Sequence, residues 1–413
     1  MSLGNGPAES GTVMLRGMAW EHPRARDPLE AISADWVRGR RVSVEWDARP
    51  LKDFEDQPLE ELATRYDLVL IDHPFVATAA TSGLIAPVDD WVDASFLADQ
   101  AAHSVGPSCA SYSWAGKQWA LAIDAACQVS ALREDLWSGA QLGPLPATWV
   151  EVAHRAQSLE NAASKVAMPL NPNHAYCAFL SMGVGVAGRE FWRAGEPMNR
   201  KAARESLEFL RALAGHLHVS SRQADPIAIS DRMSRSDEIA YVPLMFGYSS
   251  YARRSFRPRQ LRFANAPRGH SGERGSVLGG VGLALSSRCA NPEVAAELAR
   301  HIASPEVQTG IYASSGGQPG HAAAWDSPSV NQRAGDFFIS TRETIEHAFV
   351  RPRVPGHRRF QPLAGDLIHS FIWGRDIAVE TCLSELSRLT ELLLQDWVQE
   401  REEATGRVDE RAQ

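Results

Sequence analysis

The sequence predicts an α/β fold with largely parallel sheets, because strand-like segments alternate with helical ones along most of the chain. The opening shows this order. Residues 13–20 form an apolar run typical of a strand, residues 27–37 carry apolar side chains at helical spacing, and residues 41–46 alternate as a second strand. At 413 residues the chain exceeds the size at which one core usually keeps growing, so we expect two lobes with separate cores.

The next predicted strands end at polar residues. YDLVLI, at residues 66–71, is a continuous apolar run, as in a parallel strand buried on both faces. Residues 72–75 (DHPF) would therefore lie at the carboxyl end of a strand, where ligands collect in open α/β sheets. Residues 114–125 predict a hairpin around Ala115-Gly116 and then a strand that ends at Asp124. Both strand ends are candidate ligand sites.

The second half continues the alternation. Thr148 is a predicted helix N-cap, and a Gly-rich stretch at residues 183–188 separates that helix from the next one. Residues 239–245 and 279–286 are predicted strands. The leucine spacing of residues 378–399 predicts an amphipathic surface helix.

Composition argues against several classes of protein. The net charge of −8 and the pI near 5.9 provide no long-range attraction for nucleic acid or anionic membranes. The five cysteines are scattered without a CxxC pair, so neither a zinc site nor a disulfide framework is predicted. The sequence lacks GxSxG, P-loop, HExxH and EF-hand motifs. We therefore expect no metal, no cofactor, no nucleic-acid partner and no enzymatic activity.

The N-terminal residues bear on localisation. No stretch approaches the roughly 20 apolar residues that span a bilayer, and Met1 to Gly11 lack the charged and apolar regions of a secretory leader. As written, the chain is predicted to be cytoplasmic. Two alternatives stay open: Met-Ser-Leu could replace a removed leader, in which case the protein would be periplasmic, or Met14 could be closer to the natural start.

Several segments together resemble the family 1 extracellular solute-binding proteins, the sugar-type binding proteins related to maltose-binding protein. Their order and spacing over nearly the whole chain carry this resemblance. The segments are YDLVLIDHPFVATAATSGLIAPVDDWV (66–92), GKQWALAIDAACQVSALREDLW (116–137), LPATWVEVAHRA (145–156), GGVGLALSSRCANPEVAAELARHIASPEVQTGIYASSGGQPGH (279–321) and RPRVPG (351–356).

The resemblance implies a type II periplasmic-binding-protein fold, in which two α/β lobes close over a ligand in the cleft between them. The first lobe would take residues 11–124 and 280–325, and the second residues 125–279 and 326–413, with hinge strands near Asp124 and Gly279-Gly280. The implied function is capture of a small polar solute, a saccharide or sugar-derived compound, for the permease subunits of an ABC importer. Family members are usually monomeric, so we expect a monomer.

Candidate ligand-binding residues follow from the strand ends and from the resemblance. In the first lobe they are Trp20, Glu21, His22, Asp72, His73 and Phe75, with Asp124 at the hinge. In the second half they are Phe246, Tyr248 and Tyr251, then Gln318 and Pro319 in a Gly-rich loop, and Arg351. Carboxylates and imidazoles beside aromatic rings suit a polyhydroxylated ligand. Each group could instead have a purely structural role: its residues could terminate a strand, fill the core, cap backbone amides or form a simple turn.

Three functional alternatives remain open from the sequence. The arginines of the second half would favour an anionic ligand if one or two reached the cleft, although a run of charge is usually a solvated face. They are Arg253, Arg254, Arg257, Arg259, Arg262, Arg351, Arg353, Arg358 and Arg359. A cytoplasmic protein of the same fold could sense or sequester a metabolite. An enzyme could use Cys109 or Cys127 with His73 in the cleft.

Overall fold

The computed structural model describes residues 12–50, 59–374 and 376–411. Residues 1–11, on which the expectation about a leader depends, lie outside this range, as do residues 412 and 413 of the predicted second lobe. Among the described helices, none combines the length and the apolar character that a membrane crossing needs.

The first third of the chain contains most of the strands. They are β1 (Val13–Trp20), β2 (Val42–Arg49), β3 (Leu68–Ile71), β4 (Ile85–Ala86), β5 (Ser113–Trp114), β6 (Lys117–Gln118) and β7 (Leu121–Leu132). The helices of this part are α1 (Pro23–Trp36), α2 (Leu59–Arg65), α3 (Val76–Thr81), α4 (Ala94–Ala102), α5 (Ser108–Ser111) and α6 (Glu134–Gly139).

The remainder of the chain is mainly helical. Its strands are β8 (Lys165–Val166), β9 (Ile239–Phe246), β10 (Arg262–Ala264) and β11 (Leu278–Ser286). Its helices are α7 (Trp149–Ser158), α8 (Pro172–Ala187), α9 (Arg200–Ala214), α10 (Pro226–Arg235), α11 (Pro292–Ala303), α12 (Pro305–Val307), α13 (Ala322–Asp326), α14 (Pro328–Arg333), α15 (Phe337–Glu346), α16 (His357–Trp373) and α17 (Val379–Arg411).

Local sequence explains where several helices begin and which face they bury. Thr148 caps α7 by accepting a hydrogen bond from the Glu151 amide, as predicted. Asn171 caps α8 in the same way, and Pro172 occupies its first position. Leu383, Leu386, Leu389 and Leu393 of α17 are buried at three- and four-residue spacing while Leu392 is exposed, which confirms the predicted amphipathic helix. The predicted break at residues 183–188 was wrong, because α8 continues to Ala187.

One nine-stranded sheet organises the molecule, with the order β2-β1-β3-β11-β7-β9-β8, to which β4 and β10 add at the sides. The expectation of largely parallel sheets was wrong. Only β1–β2, β1–β3 and β8–β9 are parallel among the described pairs. The central strands β7 and β11 are antiparallel because β7 carries the chain from the first half of the sheet into the second and β11 carries it back.

Strand β7 joins the two halves of the sheet. Its residues 121–127 pair with β11, and its residues 128–132 pair with β9. The strand was predicted to end at Asp124, but it continues to Leu132. The register of β7 and β11 shifts between Val281 and Gly282, close to Asp124, so the junction of the two halves is irregular.

The buried hydrophobic clusters also fall on either side of this junction. Two clusters consist of residues from 15–123 and 281–312. The other two consist of residues from 125–278 and 313–393, and one of these also includes Val105. The exact lobe boundaries at residues 124, 279 and 325 stay a prediction.

Candidate functional site

A cleft lies where β1, β3, β7 and β11 meet the second half of the chain. Its empty volume, including the solvent at its open mouth, is about 630 Å³. The lining residues are Trp20, Arg24, Asp72, Asp124, Ala126, Asn173, His174, Cys177, Pro226, Phe246, Tyr248, Gly279, Gly280, Val281 and Arg351.

A buried ion pair between Arg24 and Asp124 forms one side of the cleft. Arg24 lies in the first turn of α1, and its Nε and Nη2 donate to the two carboxylate oxygens of Asp124 at 2.9 and 2.5 Å. Its Nη1 donates to the carbonyl of Gly247, just beyond β9, at 3.1 Å. The arginine therefore ties the first half of the molecule to the second while it holds the Asp124 carboxylate in place.

Arg24 and Asp124 each stabilise the charged form of the other. Burial disfavours the charged form of Arg24, but the adjacent Asp124 outweighs it and raises the pKa of the guanidinium. Burial raises the pKa of Asp124, and Arg24 opposes that rise. Removing either partner would leave an uncompensated charge inside the protein.

A second ion pair, between Asp72 and Arg351, crosses the cleft. Asp72 follows β3, and Arg351 precedes α16; Arg351 Nη2 lies 3.0 and 2.8 Å from the two Asp72 oxygens. Arg351 Nη1 donates to Gln361 Oε1 at 3.2 Å, whereas Arg351 Nε is buried and makes no hydrogen bond with the described residues. Although burial opposes ionisation, Arg351 holds the pKa of Asp72 well below its usual range.

Three buried histidines surround Arg351. His73 Nδ1 lies 3.2 Å from Asp72 Oδ1, and His357 Nε2 lies 3.2 Å from the Tyr176 hydroxyl. Burial, with a further contribution from the positive charge of Arg351, lowers the pKa of His73 to about 4 and those of His174 and His357 to about 3. These rings are therefore neutral near pH 7 and add no charge to the cleft.

Aromatic rings form the apolar part of the cleft. The Arg24 guanidinium lies 4.8 Å from the centre of the Tyr248 ring and 5.9 Å from that of Trp20. Phe246 packs edge-on against His174, with ring centres 6.0 Å apart. Rings beside fixed charged groups suit a ligand that carries both an apolar face and hydroxyl groups.

The structure brings six of the predicted site residues to the cleft. They are Trp20, Asp72, Asp124, Phe246, Tyr248 and Arg351. Three of them come from first-half strand ends and from β7, and three come from the second half, so the predicted meeting of distant segments is observed. Whether they contact a ligand stays a prediction.

The other predicted residues of the first half lie around the cleft and do not line it. Glu21 is exposed, and its amide donates to the Arg49 carbonyl. His22 caps α1 by accepting from the Arg24 amide, and burial lowers its pKa to about 3. His73 supports Asp72, and the Phe75 ring lies 6.4 Å from that of His357.

Of the remaining predicted residues, Tyr251 lies outside the cleft, whereas Gln318 and Pro319 serve the junction of the two halves. The Tyr251 hydroxyl donates to Asp231, away from the cleft. Gln318 is fully buried; its side-chain amide donates to the carbonyls of Ala125 and Gly247, and its oxygen accepts from the Ser249 amide. Pro319 forms a β-bridge with Asp124. The Gly-rich loop therefore locks the junction.

Sequence reasoning missed several lining residues. Arg24 is the most important of them, and nothing in the HPRAR segment separates it from the exposed Arg26. Asn173, His174 and Cys177 lie in the first turns of α8, a helix that the Asn171-Pro172 start signal could have revealed. Pro226 opens α10, and Ala126 is adjacent to the predicted hinge.

Most of the arginines in the second half are occupied elsewhere. Arg257 pairs with Asp231, Arg262 pairs with Glu134, and Arg253 donates to the carbonyls of Ala313 and Ser314. Arg353 donates to the carbonyls of Ala110 and Ser113. Of the nine arginines singled out from the sequence, Arg351 alone lines the described cleft.

Comparison with known proteins agrees with this architecture. Residues 43–336 match the family model of the bacterial extracellular solute-binding proteins. A solute-binding protein of Agrobacterium radiobacter K84, solved with ribitol, has a TM-score of 0.77 at 18% identity over 92% of this chain and 98% of its own. A solute-binding protein from Thermotoga lettingae TMO, bound to α-D-tagatose, has a TM-score of 0.80 at 16% sequence identity, over 92% of this chain and 100% of its own.

A maltose-bound protein of T. maritima is also similar, with a TM-score of 0.77 at 16% identity over 92% of this chain and all of its own. The structural neighbours confirm the predicted two-lobed fold. The family match covers more than half of the sequence. This chain therefore belongs to the family of bacterial extracellular solute-binding proteins.

Proposed function

We propose that this protein binds a small, neutral, polyhydroxylated solute, a saccharide or sugar alcohol, in the cleft and delivers it to an ABC importer. The observation that carries the proposal is the combination of two Arg–Asp pairs, each with a buried guanidinium group, and an aromatic wall in one pocket. Carboxylates accept hydrogen bonds from hydroxyls, guanidinium groups donate to them, and aromatic rings pack on the apolar face of the ligand.

The charge balance of the cleft favours a neutral solute. Arg24 and Arg351 are each already paired with an aspartate carboxylate, so the four charged groups sum to zero. An anion would compete with Asp124 and Asp72 for the same guanidinium groups, and it would leave the buried carboxylate of Asp124 without its counter-ion. Arg351 Nε is buried and has no hydrogen-bond partner among the described residues, so it is a donor that neither pair uses.

The proposal is for binding without catalysis. The thiols weighed as nucleophiles are poorly suited to that role, because burial raises the pKa of Cys109 to about 11 and that of Cys127 to about 12. The family and the structural neighbours are substrate-binding proteins. We extend this role to the present chain and expect the bound solute to leave chemically unchanged.

Delivery to an importer also specifies a partner and a place. We propose that permease subunits dock on the closed, ligand-bound monomer, and that the protein acts on the outer side of the cytoplasmic membrane. Fractionation of the host cells tests the location with an antibody against this chain. Recovery in the cytosolic fraction would instead favour a sequestering role inside the cell.

The ligand class is tested by native mass spectrometry of the purified protein, followed by a thermal-shift screen. The panel should contain ribitol, mannitol, tagatose and maltose, with the matched anions gluconate and a sugar phosphate. A ligand that binds only the folded state raises the melting temperature by mass action. We expect a shift with a neutral sugar or polyol. A shift with anions alone, or chemical conversion of the ligand, would refute the proposal.

A further inference from the structure

A cluster of metal-ligating side chains lies outside the cleft, between α4 and the loop that precedes α13. Asp99 is on α4, His103 follows its last turn, and His321 caps α13. Each residue can offer one ligand atom, and these three atoms lie within 4.8 Å of one another. The two imidazole rings are stacked with their centres 5.5 Å apart.

The backbone holds the two histidines together independently of their side chains. Ser104 and His321 form an antiparallel β-bridge. On either side of it, the Val105 amide donates to the Gly320 carbonyl at 3.0 Å, and the Ala322 amide donates to the His103 carbonyl at 2.7 Å. A site whose ligands come from segments fixed in this way needs little rearrangement to close on an ion.

The strongest indication of a ligand is the unused nitrogen of His321. This side chain is only 5% exposed, and its Nε2 is buried without a hydrogen-bond partner among the described residues. Asp99 Oδ2 lies 3.8 Å from this nitrogen. Two ligands of one tetrahedral zinc ion, each at about 2.0–2.1 Å, stand roughly 3.4 Å apart, so a shift of a few tenths of an ångström would suffice for this pair.

His103 already contacts Asp99. Its Nδ1 lies 2.8 Å from Asp99 Oδ1 and 3.2 Å from the Asp99 carbonyl. An ion bound by this nitrogen and by the carboxylate would replace the hydrogen bond between them and leave the ring proton on the solvent-facing Nε2. The His103 and Asp99 side chains are 57% and 40% exposed, so an ion can enter from solvent. Asp99 and Glu306 both place negative charge near His321.

We propose that Asp99, His103 and His321 form a binding site for a borderline divalent transition-metal ion, such as Zn²⁺ or Ni²⁺. Two imidazoles and one carboxylate suit such ions, and water would complete the coordination. Ligation through His321 Nε2 places the ring proton on Nδ1. The 3.2 Å hydrogen bond that Nδ1 accepts from the Ala323 amide is then exchanged for the metal bond.

The bound ion would fasten α4 to the loop that locks the two halves of the sheet. His321 is three residues after Gln318, whose side-chain amide joins the carbonyls of Ala125 and Gly247. The inference does not rest on the proposed solute, because the site is separate from the cleft and its test involves no sugar.

The test is isothermal titration of the untagged, chelator-treated full chain with ZnCl₂ and NiCl₂, and with MgCl₂ as a hard-cation comparison. We expect one Zn²⁺ per chain and no Mg²⁺ uptake. His103→Ala should weaken zinc binding by at least about 10-fold, and Asp99→Asn should do the same without removing a ring. At the same zinc concentration, the melting temperature of the parent protein should rise more than that of either variant.

The matched control is His347→Ala. His347 is also an exposed histidine at the end of a helix, and its Nδ1 contacts the carbonyl of the acidic residue four positions earlier. It belongs to no metal-ligating cluster among the described residues. Zinc affinity should be unchanged in this variant. No zinc uptake by the parent, or the same dissociation constant in His103→Ala as in the parent, would overturn the proposal.

Discussion

Arg351 and Asp72 are 279 residues apart in the sequence, yet Nη2 of the arginine contacts both carboxylate oxygens of the aspartate, at 3.0 and 2.8 Å. The arginine is 3% exposed and the aspartate 20%. Because Asp72 follows a strand of the first half and Arg351 precedes a helix of the second, the pair spans the cleft. It holds the two halves together and contributes to the ligand-binding surface.

Asp72→Asn should therefore lower the free energy of unfolding by about 3 kcal/mol, because it leaves the buried guanidinium of Arg351 without its counter-ion. Urea denaturation at pH 7.5 measures this change. The exposed pair Arg26–Glu30 provides the control, since Glu30→Gln should have little effect. A double variant, Asp72→Leu with Arg351→Met, should recover part of the loss. Equal stability of Asp72→Asn and the parent would contradict the role of the pair.

Acidification should destabilise the protein well above the pH at which its carboxylates titrate. Burial lowers the pKa of His22, His174 and His357 to about 3 and that of His73 to about 4. In the unfolded chain these rings bind protons below about pH 6.5, while in the folded protein they stay neutral. The unfolded state thus binds more protons, and stability falls as the pH decreases from about 6.5 towards 4.

Each of these histidines should remove on the order of 1–2 kcal/mol between pH 7 and pH 5. Urea denaturation across this range gives the slope, and His357→Asn should reduce it even if it also lowers stability at pH 7. The control is His347→Asn, which removes an exposed histidine instead of a buried one. The carboxylate of Asp72, whose pKa is depressed, contributes stability that is lost only below about pH 3.8. A flat profile from pH 7 to 5 would contradict this account.

Tyr248→Ala should weaken binding of the solute found in the screen by about 1–3 kcal/mol, roughly 5- to 150-fold. The ring lines the cleft and packs against the Arg24 guanidinium, so its loss removes apolar contact and loosens the Arg24–Asp124 pair. Titration calorimetry measures the dissociation constant. Tyr251→Phe is the matched control, because the Tyr251 hydroxyl bonds Asp231 outside the cleft. Equal losses in both variants would argue against a specific role for Tyr248.

The sequence could predict site residues that follow a strand or that belong to the resembling segments, such as Asp72 and Arg351. Asp72 follows a buried apolar strand, so the strand-end rule placed it correctly. Asp124 lines the cleft although β7 does not end there, because the register shift opposite it interrupts the pairing. Arg24 was missed, since only the tertiary structure buries it while Arg26 remains exposed.

The direction of the sheet could not be predicted from periodicity either. Apolar runs such as LVLI in β3 and LGGVGLALS in β11 are equally consistent with parallel and antiparallel neighbours. The antiparallel centre arises because the chain crosses between the halves twice. Gln318 was predicted to approach the ligand, but it is fully buried because three backbone groups at the junction require partners.

Gly280→Ala should be strongly destabilising, because the chain at the junction leaves no room for a side chain. The residue has a φ of +96°, and a Cβ there would lie 2.3 Å from the Asp124 carbonyl oxygen on the paired strand. The substitution therefore combines backbone strain with a steric clash against backbone atoms of β7. We expect a loss of about 3 kcal/mol or more in the free energy of unfolding.

Gly116→Ala separates these two effects. Gly116 has a φ of +77° in the turn between β5 and β6, but a Cβ would meet nothing within 4 Å. Only the cost of the positive φ applies there, about 1–2 kcal/mol. If Gly280→Ala were no worse than Gly116→Ala in urea denaturation, the close approach of β11 to Asp124 would be wrong. A larger loss for Gly280→Ala, with weaker solute binding, would tie the packing of this junction to the shape of the cleft.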